Sequence, residues 1–371
     1  MKIGQLMSMD AGDVLPPELS QTLVRLRDNA HPMPPAQLKM VLNDEWPVQW
    51  LRSFDKFDVR PIAAASIGQV HRGQLKDGRD LAIKVQYPGV AKSIDSDIAN
   101  VGVLMRVSGL LPKGFELAPY LEEGRKQLHE ETNYNREANQ LIRFGDLLAN
   151  KTQFVVPELH SDWSTPNILA MTYLAGVPIE RVTEEPQEIR NQVAKDLIDL
   201  TIRELFCFGV MQTDPNFANY LYQPENQRIA LLDFGATHKI SLPVVQFYHR
   251  LMLAGFAGDD VALEETIECI GFIDENTKDN QRKQIVNMVK FVFETLKENS
   301  YLDFADTKLA TDLQDLVISL AKDGFIPPPL PIDVLLLQRK FGGMFLLATK
   351  LAARIDVVSL LADHLKGATP N

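Results

Sequence analysis

The spacing of hydrophobic and polar positions changes twice along the chain. Residues 1–58 show helical spacing interrupted by prolines, which cannot continue a helix. From Ala63 to Val85 apolar positions instead form short runs around the turn Lys76-Asp77-Gly78, which predicts a hairpin and a third strand. From Tyr87 to Asn150 the helical period returns and ends in one polar-rich helix, HEETNYNREANQLIRFGDLLAN. The pattern therefore predicts a mixed α and β protein.

Two further strands, Phe154–Leu159 and Asn167–Tyr173, precede a break at Leu174–Pro178 that looks like a connection between lobes. Pro186–Phe208 is amphipathic, and from Leu242 onward the spacing is almost wholly helical. We therefore predict three parts: a helical extension over residues 1–58, a small lobe with a helical insert over residues 59–175, and a mostly helical large lobe over residues 176–371.

The longest apolar stretch is FGGMFLLATKLAA, from Phe341 to Ala353, which Lys350 interrupts. Crossing a bilayer takes about 18 uncharged apolar residues, so no transmembrane segment is expected. We predict a buried helix of the large lobe here, with an interfacial membrane helix as the alternative. The first ten residues also lack the apolar core of a signal peptide, so a cytoplasmic protein, peripheral at most, is expected.

Composition narrows the classes of partner. The chain has 371 residues, of which 45% are hydrophobic and 23% charged, as in ordinary globular proteins. Its net charge of −11 argues against nucleic acid, which binds through Lys and Arg. Cys207 and Cys269 are the only cysteines and form no paired motif, which favours a reducing compartment.

The strongest functional signal is the stretch MQTDPNFANYLYQPENQRIALLDFGA, from Met211 to Ala236. Asp214 precedes Asn219 by five residues, and Asp233 opens an Asp-Phe-Gly triplet after a predicted strand. This spacing is typical of phosphoryl-transfer sites: Asp214 would accept a proton from a hydroxyl or a water, and Asn219 and Asp233 would bind magnesium. Asp214 is expected to follow a helix and to lie on a loop that Pro215 fixes.

Upstream, Leu81-Ala82-Ile83-Lys84 has the form of the strand whose lysine contacts the nucleotide phosphates in kinases. Its expected partner is Glu137, which would orient the ammonium. The competing carboxylates Glu130 and Glu131 are expected about two turns earlier on the same helix. An alanine-rich loop stands where ordinary kinases have glycines, and alanine restricts the backbone there. Its nucleotide-binding candidates are Ala63, Ala64, Ala65, Ser66, Gly68 and Val70.

With these motifs, the chain resembles the UbiB atypical kinase-like family, also called the aarF-domain kinases, over nearly its whole length. Lys2-Ile3-Gly4-Gln5 is similar to the family's KxGQ motif, and the segment from Ala63 to Val70 to its alanine-rich loop. Lys84, Glu137, Asp214, Asn219 and Asp233 match its nucleotide site.

The resemblance implies a protein-kinase-like, two-lobed α+β fold, with an N-terminal helical extension and a mostly helical C-lobe. Lys2 and Gln5 would lie near the nucleotide, and Lys2 would pair with an ExD motif, here Glu131-Thr132-Asn133. Asn133 keeps an acceptor oxygen but loses the charge, so the pairing would depend mainly on Glu131. The adenine would meet the backbone from Thr172 through Tyr173 to Leu174, with Met171 behind it.

The leading hypothesis is an ATP-binding, magnesium-dependent kinase or ATPase. The resemblance implies a role in the biosynthesis of ubiquinone or related quinones, with quinone-lipid intermediates, a membrane surface and biosynthetic enzymes as partners. One alternative is a scaffold that senses nucleotide without turnover. Another is a small-molecule kinase, which the KxGQ and alanine-rich segments disfavour.

Overall fold

The computed structural model describes residues 33–65, 67–107, 117–299 and 301–365. The chain divides into two compact units. Unit 1 extends to Gly176 and also contains Gln223–Ala236, whereas unit 2 contains Val177–Tyr222 and the chain from Thr237 onward. The three-part division made from the sequence stays a prediction.

The helices are numbered in chain order through both units. They are α1 Pro35–Glu45, α2 Val90–Val107, α3 Ala118–Glu131, α4 Tyr134–Leu147, α5 Gln187–Arg203, α6 Leu242–Ala257, α7 Asp260–Ile270, α8 Asp279–Glu298, α9 Lys308–Lys322, α10 Ile332–Lys350 and α11 Val357–Leu365.

The strands are short except for two in unit 1. They are β1 Phe54–Phe57, β2 Ala63–Ala64, β3 Gly68–Leu75, β4 Asp80–Gln86, β5 Phe154–Val155, β6 Ile168–Thr172, β7 Val177–Pro178, β8 Val210–Gln212, β9 Tyr220–Gln223, β10 Arg228–Leu231, β11 Thr237–Lys239, β12 Leu302–Asp303 and β13 Arg354–Ile355.

An antiparallel sheet forms the centre of unit 1. Its strand order is β1-β3-β4-β6, and β2 also pairs with β3. The predicted hairpin is present, since β3 and β4 pair throughout from Gly68 with Gln86 to Gln74 with Asp80. Strand β10 joins the same unit by pairing in parallel with β5, which explains why Gln223–Ala236 groups with residues far earlier in the chain.

The helical prediction for residues 1–58 is wrong at its end, because Phe54–Phe57 is a strand paired with β3. Aromatic packing explains the difference. Phe54 is buried, and its ring lies 4.9 Å from that of Trp163 and 5.8 Å from that of Trp46. Burying three large rings against the sheet outweighs the local helical spacing.

The single helix predicted over HEETNYNREANQLIRFGDLLAN is also wrong. The structure ends α3 at Glu131 and begins α4 at Tyr134. Asn133 is the N-cap residue of α4, and its side-chain oxygen accepts a hydrogen bond from the Arg136 amide at 3.0 Å. Asn is among the preferred N-cap residues, so a helix start competes here with helix continuation. Glu130 and Glu131 therefore belong to a different helix from Glu137.

Unit 2 is mostly helical, as predicted from the spacing after Leu242. Its core lies among α6, α7, α8 and α10, with Ile267, Val334 and Leu337 fully buried. The predicted buried helix around Phe341–Ala353 is the second half of α10, where Met344 and Leu347 are buried. Among the helices in the described ranges, none is both long enough and apolar enough to span a membrane.

Candidate active site

Lys84 lies at the centre of a buried ionic cluster in unit 1. Strand β4 places its side chain on the face opposite Ile83 and Val85, both of which are fully buried in the aromatic core. The Lys84 Nζ donates to Glu137 Oε1 at 2.8 Å, to Glu137 Oε2 at 3.0 Å and to Asp233 Oδ2 at 2.9 Å. The pairing expected between Lys84 and Glu137 is thus present in the structure.

The charges in this cluster do not balance, because two carboxylates face one ammonium. Burial alone would lower the pKa of Lys84, but the charges of Asp233 and Glu137 outweigh it and raise that pKa well above its ordinary value. Burial also raises the pKa of Glu137, to about 7, against the opposing charge of Lys84. Lys84 therefore stays protonated at neutral pH.

The start of α4 determines where Glu137 lies. Glu137 is in the first turn after the Asn133 cap, and its side chain is 3% exposed. Arg136 is the residue immediately before Glu137, and its Nη1 donates to the Gly235 carbonyl at 2.8 Å. The cap and this contact tie the helix that carries Glu137 to the segment that carries Asp233.

The Asp-Phe-Gly segment is fixed at each of its three residues. Asp233 Oδ1 accepts a hydrogen bond from the Gly235 amide at 2.9 Å. Phe234 is buried, with its ring 5.0 Å from that of Phe144 on α4. A Cβ added at Gly235 would lie 3.3 Å from Asp233 Oδ1 and from Glu137 Oε2, so a larger residue would crowd both carboxylates.

The alanine-rich loop is a narrow hairpin. Ala63 pairs with Val70 and Ala64 with Gln69, and the Ala65 amide donates to the Gly68 carbonyl at 2.9 Å. A Cβ at Gly68 would come within 2.3 Å of the Val85 carbonyl oxygen, so the close approach of β3 to β4 requires glycine there. Ser66 lies outside the described residues.

Strand β6 leads from Met171 into the segment predicted to meet the adenine. Met171 is buried and pairs with Ala82 on β4. The Thr172 amide donates to the Glu158 carbonyl at 2.9 Å, and the Tyr173 amide donates to the Asp80 carbonyl at 2.8 Å. These bonds fix the backbone amides of Thr172 and Tyr173 at the end of β6.

In unit 2, Asp214 and Asn219 lie together on one loop. A helical segment precedes Asp214 as expected, but a short strand intervenes: the π-helical turn at Glu204–Phe208 is followed by strand β8, which pairs with β11. The strand forms because Val210 and Met211 are buried in the core of unit 2. The Asn219 Nδ2 donates to the Asp214 carbonyl and to Asp214 Oδ2, both at 3.2 Å.

Sequence reasoning missed Arg339, which contacts the predicted catalytic carboxylate. Its Nη2 donates to Asp214 Oδ1 at 2.9 Å, and both side chains are buried. Helix α10 approaches the loop closely, since a Cβ at Gly343 would lie 2.2 Å from the Pro215 Cβ. Arg339 therefore holds Asp214 from one side while Asn219 holds it from the other.

The adjacent Lys340 is a second buried cation that the sequence did not reveal. Its Nζ donates to the Tyr220 hydroxyl at 3.0 Å and lies 3.7 Å from Glu204 Oε2. The signal was the doublet Arg339-Lys340 in the middle of a mostly apolar helix, IDVLLLQRKFGGMFLLATK. Two cations in a buried helix need buried partners, but their identity depends on residues over a hundred positions earlier.

The two predicted magnesium ligands, one in each unit, both offer oxygen donors. Because the amide nitrogen of Asn219 is bonded to Asp214, its carbonyl oxygen points away from that carboxylate. In unit 1, the carboxylate of Asp233 is 29% exposed. Amide and carboxylate oxygens are both hard donors of the kind that magnesium prefers. No group of three or more His, Cys, Asp or Glu side chains in the described ranges could hold a metal alone. A magnesium ion bound by either residue would need phosphate and water oxygens to complete its shell.

The residues of the pairing expected between Lys2 and Glu131 are only partly within the described chain. Lys2 and Gln5 lie outside it. Glu131 is buried at the end of α3, and Gln86 Nε2 on β4 donates to the neighbouring Thr132 carbonyl at 2.9 Å.

Comparison with known proteins identifies the family. The sequence profile of the ABC1 atypical kinase-like domain matches residues 25–267, which is more than half of the chain. The chain belongs to this family. The resemblance to UbiB proteins drawn from the motifs is therefore confirmed, and the ABC1 domain contains all the described site residues discussed so far except Arg339 and Lys340.

Curated relatives in the ABC1 family are named as atypical kinases. The chain is 35% identical over 367 residues to "Atypical kinase coq-8, mitochondrial" of Caenorhabditis elegans, covering 98% of this chain and 48% of the relative. It is 34% identical over 365 residues to "Atypical kinase COQ8, mitochondrial" of Saccharomyces cerevisiae, covering 98% and 72%. The chain thus spans about half the length of the worm relative.

A solved structure supports the fold. The structure of Rv3197 from Mycobacterium tuberculosis, determined as a complex with erythromycin, matches with a TM-score of 0.69 at 23% identity, covering 100% of this chain and 92% of that one. With the kinase-like family, this likeness confirms the predicted fold class, an α+β kinase-like fold.

Proposed function

We propose that this ABC1-family chain binds ATP with magnesium and cleaves its terminal phosphate, as an atypical kinase or an ATPase. The observation that carries the proposal is the bonding of Lys84 to both Glu137 and Asp233. A buried lysine with no other role would need only one counter-charge. Here the second carboxylate is that of Asp233, which is partly exposed. This arrangement fits an ammonium that contacts phosphates beside a carboxylate that binds metal.

Each remaining residue has a chemical role in the proposal. Asn219 and Asp233 supply oxygen ligands to magnesium, which when bound neutralises phosphate charge. Asp214 accepts the proton of the attacking hydroxyl or water, in the orientation that Arg339 and Asn219 give it. Because the amides of Thr172 and Tyr173 already donate to protein carbonyls, we assign the adenine contact to the Leu174 amide.

The test is phosphate release from ATP by the purified protein with magnesium. Asp214→Asn should reduce turnover at least about 100-fold, the range of losses found when general acid–base catalysis is removed. Asp315→Asn, a change at an exposed aspartate on α9, is the matched control and should retain full turnover. Nucleotide binding without turnover in the wild-type protein would contradict the proposal and favour a nucleotide-sensing scaffold.

The finer proposal is that this activity supports the biosynthesis of ubiquinone or related quinones. This proposal rests on the family resemblance. The protein would act on quinone-lipid intermediates, or on the enzymes that handle them, at a membrane surface. Quinone-lipid profiling of a deletion strain tests it. Wild type should restore the quinone pool and Asp233→Asn should not. Restoration by both proteins would separate the quinone phenotype from nucleotide chemistry.

A further inference from the structure

A cysteine, a histidine and an aspartate of unit 2 form a linked set that the proposed phosphoryl transfer does not use. Cys207 Sγ lies 3.7 Å from His364 Nδ1, and His364 Nε2 lies 2.7 Å from Asp199 Oδ1. The two ring nitrogens thus face two different partners. When Nε2 carries a proton and donates it to Asp199, Nδ1 is left as a base toward the thiol.

Burial differs along this set in a way that suits a reactive thiol. The side chains of His364 and Asp199 are 6% and 13% exposed, whereas Cys207 is exposed. Cys207 as a residue is therefore more accessible to solvent than the histidine and aspartate behind it. A buried structural cysteine would show the opposite arrangement, with the sulfur enclosed.

Asp199 is held as an anion. Its Oδ2 accepts a hydrogen bond from Arg203 Nε at 2.6 Å. Burial alone would raise the pKa of Asp199, but the hydrogen bonds from Arg203 and His364 outweigh it and lower that pKa. The carboxylate can therefore stabilise a positive charge on His364 when the ring takes a proton from sulfur.

Local structure explains how the three residues meet. Asp199 and Arg203 occupy the last turns of α5, and Cys207 follows in the π-helical turn Glu204–Phe208. A π turn inserts an extra residue into the helix, which changes the direction of the side chains after it, and such turns are frequent at functional sites. His364 reaches the same place from α11.

From this geometry we propose that Cys207 is a reactive thiol that hydroperoxides oxidise to a sulfenic acid, with His364 as the base. The Cys207 proton moves to His364 Nδ1, and the thiolate attacks the terminal oxygen of the hydroperoxide. The S–O bond forms as the O–O bond breaks. The departing alkoxide takes the proton from His364 and leaves as an alcohol, so the sulfur is oxidised and the hydroperoxide reduced.

The first experiment compares the two cysteines within the native full-length protein. Cys269 is also exposed, and among the described residues no hydrogen bond involves its sulfur. Alkylation by limiting iodoacetamide at pH 7, followed by peptide mass spectrometry, should label Cys207 about ten times faster, since an ordinary thiol is only a few per cent thiolate at that pH. In urea the rates should converge. Equal rates in the native protein would overturn the proposal.

Variants then test the base. His364→Gln should bring the Cys207 rate down to that of Cys269, and Asp199→Asn should give a smaller decrease, while the Cys269 rate stays constant as the internal measure of folding. An unchanged ratio in a folded His364→Gln protein would remove His364 from the role.

The last experiment tests the oxidation itself. After exposure to tert-butyl hydroperoxide, dimedone should trap a sulfenic acid on Cys207 and leave Cys269 unmodified. Cys207→Ser should abolish the adduct, and Cys269→Ser should preserve it. Fast alkylation of Cys207 without a dimedone adduct would overturn the oxidation step. None of these measurements requires ATP turnover, so the outcome is independent of the proposed function.

Discussion

Lys84 in unit 1 and Lys340 in unit 2 are both buried lysines, yet their surroundings differ. Lys84 Nζ lies within 3.0 Å of carboxylate oxygens from two residues, one of them 29% exposed. Lys340 Nζ lies 3.0 Å from a tyrosine hydroxyl, and its carboxylate, Glu204, is 3.7 Å away and 1% exposed. Burial raises the pKa of Glu204, with the Lys340 charge acting against it.

The difference separates two uses of a buried cation. Lys84 faces two carboxylates, which carry more negative charge than one ammonium can neutralise. The carboxylate of Asp233 is accessible, so we expect that it can leave Lys84 and bind another ligand. Lys340 is enclosed by the buried carboxylate of Glu204 and by the neutral oxygens of Gln212 and Tyr220, and we expect it to stabilise the packing of α10 against these residues. Removing each lysine should therefore affect different measurements.

The largest effect is expected at Lys340. Lys340→Met leaves Glu204 buried without its cation, which should lower the free energy of unfolding by about 3–5 kcal/mol. Urea denaturation measures this loss. The double variant Lys340→Met/Glu204→Gln should recover most of it, because the orphaned charge is gone. Equal destabilisation by the single and double variants would show that the charge is unimportant.

At Lys84 the main effect should fall on turnover. Lys84→Met should reduce magnesium-dependent phosphate release roughly 100- to 1000-fold, the loss typical of removing one preorganised electrostatic contact. The Lys340→Met/Glu204→Gln protein is the matched comparison and should keep most of its activity. Turnover within about threefold of wild type would contradict the distinction drawn between the two lysines.

The free energy of unfolding, measured at several pH values, should show how the Lys84 charge affects Glu137. Burial raises the pKa of Glu137 from 4.5 to about 7, and Lys84→Met removes the charge that opposes this rise. A carboxyl whose pKa is higher in the folded state favours folding at low pH, and that contribution is lost as the pH rises. The stability deficit of Lys84→Met should therefore be greater at pH 8 than at pH 5, and Lys84→Met/Glu137→Gln should show a flatter dependence.

The smallest effect is expected at the cap of α4. Asn133→Ala should cost about 1 kcal/mol of unfolding free energy, because the Arg136 amide loses its acceptor. Asn133→Asp preserves the acceptor and adds a charge that favours a helix N-terminus, so it should be neutral or slightly stabilising. Thermal unfolding distinguishes the two. Equal losses in both variants would argue against a capping role.

The sequence predicted best those features that depend on residues close together in the chain. The hairpin of β3 and β4 follows from a short turn between two apolar runs, and Lys84 was recognised from the form of its own strand, Leu81-Ala82-Ile83-Lys84. The resemblance to the family was likewise readable from short motifs, among them the alanine-rich segment from Ala63 to Val70. Asp214, Asn219 and Asp233 lie within twenty positions of one another, so their spacing is readable without a fold.

Features that depend on distant packing were not readable. The strand at Phe54–Phe57 forms because rings separated by more than a hundred residues bury one another, which no local period reports. The break at Asn133 came from a capping residue that competes with helical spacing. Arg339 reaches Asp214 across 125 positions, so its charge was visible in the sequence but its partner was not.

Unit 1 is built from two separated stretches of chain, and this has a consequence for synthesis. When residues up to Gly176 have left the ribosome, β5 still lacks β10, and Lys84 still lacks Asp233, which is 149 positions later. The first part of unit 2 must be translated before unit 1 can close its ionic cluster. The nascent protein therefore acquires Lys84 early, but the arrangement of charges around that lysine only after most of the chain has been made.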